Sequence, residues 1–212
     1  MRVLPTALVV AFAAGLTAAP YAAAREPDRE CAAAHSSPLS PQPSEEQLDY
    51  RARLHSFATG EGVKVAVIDT GVARHDQLRH LSSGADLVAP EDPEPHRDCD
   101  LHGTVVAGVI AGRELGVAPD AEIYSIRQTS AHYRSPSPQE DSASEDSDSS
   151  SGTLATLAAA IEDAVEAKAK VINVSVVSCV PPEAAERVDR SRLDAALARA
   201  EDEGVVVVAA SG

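Results

Sequence analysis

Apolar positions recur along this chain in two alternating rhythms. Residues 63–68 (VKVAVI) form a short β-branched run with one polar interruption, the pattern of a parallel strand buried on both faces. Residues 85–88 predict a second short strand, and residues 122–127 (EIYSIR) alternate as a third. Residues 171–176 and 205–210 (VVVVAA) predict two more. Helical spacing fills the intervals. Residues 102–111 predict a helix entered after Asp98-Cys99-Asp100 and ended near Gly112. Residues 153–168 set Leu154, Leu157, Ile161 and Val165 on one helical face, which leaves Glu162, Asp163 and Glu166 as a solvated face. Residues 191–203 predict a third helix. Strands alternating with helices of this length imply an α/β fold in three layers, a parallel sheet with helices on both faces. Active sites of such sheets lie at the carboxyl ends of the strands. Asp69 stands at one of those ends.

The flanking segments read differently. Residues 1–24 have the form of a secretory signal peptide: Arg2, an apolar stretch over 3–16, then small residues ending in Ala22-Ala23-Ala24, with cleavage expected before Arg25. Its apolar run is shorter than the ~20 residues a bilayer span requires. Residues 25–60 read as an extended N-terminal arm with Pro27, Pro38, Pro41 and Pro43. A short helix is predicted at 44–57, because Ser44-Glu45-Glu46-Gln47 has the form of a capping box. Residues 61–212 carry the strand–helix alternation. An acidic, Ser-rich insertion interrupts it at about 133–152, too poor in apolar surface to order itself. Its acids lack EF-hand spacing, so no metal site is expected there.

Composition narrows the partners. The formal net charge of −15 argues against nucleic acid, whose phosphates select basic faces. With no Trp, two Phe and four Tyr, aliphatic packing must carry the core. Export would give the three cysteines, Cys31, Cys99 and Cys179, an oxidising environment. An odd count leaves a free thiol, an intermolecular bond or a partner outside these residues.

The chemistry centres on two residues. A carboxylate closing a buried strand, Asp69, followed by Thr70-Gly71, is held by rigid backbone. His102 at the start of a helix, with Gly103 beside it, can bring its ring close to that strand end. Together they suit the acid–base pair of a serine protease, in which the carboxylate orients the imidazole and the imidazole takes the serine proton. Asp-Thr-Gly also marks aspartic proteases, but those are all-β and need two such loops; here there is one. His75, His80, His96 and His132 read as solvated loop residues.

The text around these residues resembles the subtilase family of serine proteases. VAVIDTGV (65–72) with His75-Asp76-Gln77-Leu78, and HGTVVAG (102–108), resemble its Asp and His motifs. GVAPDA (116–121), VINVS (171–175) and VVAASG (207–212) are similar to three further segments, in the same order. Asp before His is the subtilisin order. The string DCDLHGT (98–104), SIRQ (125–128), an arm carrying a cysteine and a long polar insertion are most similar to the mycosins of type VII secretion.

The resemblance implies a subtilisin-like fold and peptide-bond hydrolysis without a cofactor. It makes Asp69 and His102 catalytic, with Asn173 and Ser175 beside the substrate. It also implies a Cys31–Cys99 disulfide tethering the arm, and a partner for Cys179 beyond residue 212. The expected partners are a protein or peptide substrate and the type VII secretion machinery, at a secreted or cell-surface location. Membrane attachment would come only through a C-terminal helix such as mycosins carry. The family's G-T-S-x-A nucleophile motif does not occur: Gly103-Thr104 leads to Val105, and Gly152-Thr153 to Leu154. The domain is therefore expected to be incomplete at its C-terminus and inactive as these 212 residues, lacking the serine and the oxyanion asparagine. A non-catalytic pseudoprotease or structural part of a secretion complex is the alternative.

Overall fold

The computed structural model describes residues 25–34, 43–134, 150–177, 183 and 187–211. The expected signal peptide, Cys179 and most of the acidic insertion lie outside them. A five-stranded parallel sheet has β1 (Lys64–Asp69) at its centre. On one side come β3 (Glu122–Arg127) and then β2 (Leu81–Asp86); on the other come β6 (Val171–Val174) and β7 (Val206–Ala209). From β1 the chain crosses to β2 on one side, and from the adjacent β6 it continues to β7 on the other, so the carboxyl ends of β1 and β6 flank the crevice where α/β sheets bind ligands.

The alternation of β1 explains the layers. Ala66 and Ile68 face one side, where they meet Ala158, Ile161 and Val165 of α3 (Leu154–Glu166) and Ala196 and Ala200 of α4 (Ser191–Asp202). Val65 and Val67 face the other, against Ala107 and Ala111 of α2 (His102–Ala111). Ala66, Val67 and Ile68 are fully buried. Truncating Ile68 to Ala would cost about 2–5 kcal/mol. The buried residues of α2 are Gly103, Ala107 and Ala111, four residues apart and all small, with Val106 and Ile110 packed at the margin.

The arm is tied down beside the site. A disulfide joins Cys31 to Cys99, 68 residues apart. Ala32 N–H donates to the Cys99 carbonyl at 2.8 Å, and Asp28 N–H to that of His132 at 2.8 Å. Helix α1 (Glu45–His55) has the expected capping box between Ser44 and Gln47 but buries none of its residues.

Four expectations change. The second strand is Leu81–Asp86, not 85–88: as an edge strand it needs no buried run, and the polar LSSGAD pairs with β3 by backbone. The insertion's ends are ordered, because β4 (Ser130–Arg134) pairs antiparallel with β5 (Ser150–Ser151), and Tyr133 is buried against Cys99 and Val88. Asp163 is half-buried rather than solvated: it accepts from Ala85 N–H at 3.0 Å and the Tyr124 hydroxyl at 3.3 Å. Burial and that carboxylate push the Tyr124 hydroxyl up to about 12. Two of the histidines are not free in solvent: His96 is bonded between Ser83 Oγ (2.8 Å) and the Val72 carbonyl (3.2 Å), and His132 lies half-buried on β4 rather than in a loop.

A buried ion pair closes the β2–β3 edge. Arg127 and Asp86 meet at 2.8 Å, both essentially without exposure. Asp86 also accepts from Val88, Ala89 and Glu94 N–H, and Tyr133 stacks on the guanidinium at 4.4 Å. The carboxylate has enough donors to offset its desolvation.

Candidate active site

Asp69 is the last residue of β1 and is fully buried. A carboxylate withdrawn from water must be met by donors. One oxygen, Oδ1, takes the Thr70 N–H at 2.7 Å and the His102 ring at 2.7 Å. His102 opens α2 with its side chain half exposed at 51%. An imidazole that gives its Nδ1–H to a carboxylate is held in the tautomer with Nε2 as the basic nitrogen. One nitrogen is thus anchored inside the protein while the ring remains open to a substrate.

The close approach depends on two glycines. A Cβ on Gly103 would collide with the Gly71 carbonyl and lie 3.1 Å from the Asp69 Cβ. Gly71 itself has φ +104°, and a Cβ there would stand 2.5 Å from the Arg97 carbonyl oxygen. Neither position accepts a side chain.

The loop carrying His102 is fastened by three successive residues, each in a different direction. Asp98 accepts from the Thr70 hydroxyl (2.7 Å), the Thr104 N–H (2.8 Å) and the Thr104 hydroxyl (2.6 Å). Cys99 is bonded to Cys31. Asp100 accepts from the Ser130 hydroxyl (2.6 Å) and Ala131 N–H (2.9 Å). This fastening offsets a local strain: Leu101, at the N-cap, has φ 63° and its side chain makes no cap hydrogen bond. The acceptor for the first turn of α2 comes from Asp98 instead.

Asn173 and Ser175 sit at the carboxyl end of β6, beside β1, with Asn173 Nδ2 donating to Ser175 Oγ at 2.7 Å. Neither hydrogen-bonds Asp69 or His102. The structure therefore joins Asp69 to His102 and sets the other two on the neighbouring strand end. Among the described residues no group of three or more His, Cys, Asp or Glu is placed to hold a metal, and no helix is long and apolar enough to cross a membrane. Sequence reasoning missed Asp98 as part of this network. Its position four residues before His102, ahead of a helix with no polar N-cap, was the available signal.

Comparison with known proteins bears on the family and the fold. The model of the subtilase family matches residues 60–212. Mycosin-4 of Mycobacterium tuberculosis is 44% identical over 174 residues, which cover 78% of this chain and 36% of that protein. The crystal structure of MycP1 from the ESX-1 type VII secretion system superposes with a TM-score of 0.73 at 32% identity, over 88% of this chain and 50% of that one. A chain in the periplasmic assembly from the ESX-5 inner membrane complex superposes at 0.71 and 31%, over 88% of this chain and 50% of its own. The chain thus spans about a third of the curated relative's length and half of the solved chains.

Proposed function

The chain belongs to the subtilase family, and we propose that it carries the acid and the base of a mycosin-like serine endopeptidase. The 2.7 Å bond between His102 Nδ1 and Asp69 Oδ1 at the strand end carries this reading. In the reaction, His102 Nε2 takes the proton of a serine hydroxyl as its oxygen attacks the peptide carbonyl. His102 then returns that proton to the leaving amine, and water repeats the sequence on the acyl-enzyme. Asp69 stabilises the imidazolium formed on the way. Asn173 and Ser175 contribute to the substrate side of the crevice. No G-T-S-x-A sequence occurs in residues 1–212, so the reading for these residues covers the acid and the base alone.

The place of action we propose is the cell envelope, with type VII secretion machinery as partner and residues 1–24 as an export signal. Support comes from the likeness to a chain in the periplasmic ESX-5 assembly and from the disulfide, a bond favoured in an oxidising compartment. A purely scaffolding role would leave the Asp69–His102 geometry without a use. The test is labelling of the complete reading-frame product by a fluorophosphonate. Labelling that disappears in His102→Ala supports the proposal; a complete product that is never labelled, or a His102→Ala variant labelled as fast as the parent, overturns it.

A further inference from the structure

The Thr70 hydroxyl stands between two carboxylates and has one proton to give. Its oxygen is 2.7 Å from Asp98 Oδ1 and 3.2 Å from Asp69 Oδ1. A hydroxyl donates once and accepts through its lone pairs. The shorter partner takes the proton, and the oxygen accepts Gly103 N–H at 3.0 Å. Asp98 is more than nine-tenths buried, and its three donors come from both sides of the active-site junction. Thr70 belongs to the end of β1. Thr104 belongs to the first turn of α2, and its hydroxyl oxygen in turn accepts Ala73 N–H at 2.9 Å.

We propose that Asp98 is a positioning residue for the acid–base pair: by holding the Thr70 proton away from Asp69, it reserves Asp69 Oδ1 for the imidazole of His102. The inference rests on the proposed role of Asp69 and His102 and extends it to a second carboxylate. An amide at residue 98 could not accept from all three donors. With its Oδ1 on Thr104, its Nδ2 would face the Thr70 oxygen and turn the hydroxyl proton toward Asp69 Oδ1. That proton would compete with His102 for one oxygen. Losing part of a charge-assisted bond loosens the ring.

The experiment is NMR of the 212-residue chain, following the downfield Nδ1–H resonance of His102 in the parent, Asp98→Asn, Thr70→Val and the double variant. In Asp98→Asn the resonance moves upfield and its exchange with water speeds by about tenfold, the loss of roughly one such bond's net contribution. In Thr70→Val it stays near its parent position, because the hydroxyl proton never lay on Asp69. The double variant matches Thr70→Val. This coupling separates the proposal from a simple helix-cap role, in which Asp98→Asn would act equally with or without the hydroxyl. An unmoved resonance in Asp98→Asn, or an equal shift in the Thr70→Val background, overturns the role of Asp98. If Asp98→Asn fails to fold, Thr70→Val decides alone: a resonance moved further downfield there shows that the hydroxyl proton had competed for Asp69 and overturns the proposal. A parent chain with no Asp69-bonded Nδ1–H would instead overturn the acid–base reading itself.

Discussion

Gly103 lies directly against the Gly71 carbonyl, so helix α2 begins as near to the end of β1 as two backbones allow. That contact lets the His102 ring reach Asp69 at 2.7 Å. Gly103→Ala should therefore cost about 1–3 kcal/mol through overpacking and move His102 off the carboxylate. Chemical denaturation and the His102 Nδ1–H resonance would show both effects. A variant with parental stability and an intact resonance would mean that the two backbones have room to part.

The disulfide links the arm to the loop that carries His102. Opening it frees a loop of 68 residues in the unfolded chain. On the chain-entropy model, Cys31→Ser lowers stability by up to about 4 kcal/mol. Thermal melts with and without reductant should differ for the parent and coincide for the variant. Peptide mapping that finds Cys31 and Cys99 both as free thiols would remove the basis of this expectation.

His96 supplies a pH dependence. Burial, outweighing its bond to the Val72 carbonyl, holds its imidazole below the ordinary value of 6.5, and Arg74 adds to the lowering. The folded state thus binds the proton less readily than the unfolded one. Its contribution to stability is fully present above pH 6.5 and is lost as pH falls through that value toward the folded one. Replacing His96 by Gln should flatten the stability profile in that window. Identical profiles for the two proteins would contradict the assignment.

Much of this arrangement was legible in residue order because local rules and fold agree. The β-branched run before Asp69 has the pattern typical of a doubly buried strand, and α2 starts at His102, just past the polar DCD. The Asp69 and His102 motifs are local strings, so the pair they form was readable although 33 residues separate its members. What escaped was decided by contacts between distant segments. The edge strand Leu81–Asp86 has no hydrophobic signature, since backbone pairing to β3 holds it. Asp163 looked solvated because its partners, Ala85 and Tyr124, come from two other strands. Asp98 had a visible position but no visible use until Thr70 and Thr104 were brought to it.

The central claim is that Asp69 orients and supports His102 as a general base. Its most direct test is kcat for peptide hydrolysis by the complete reading-frame product and by its Asp69→Asn variant. The amide keeps the shape of the side chain but favours the wrong imidazole tautomer, so kcat should fall by about 10⁴-fold while the protein remains folded. A folded Asp69→Asn enzyme working within about tenfold of the parent, under 1.4 kcal/mol of barrier, would contradict the account.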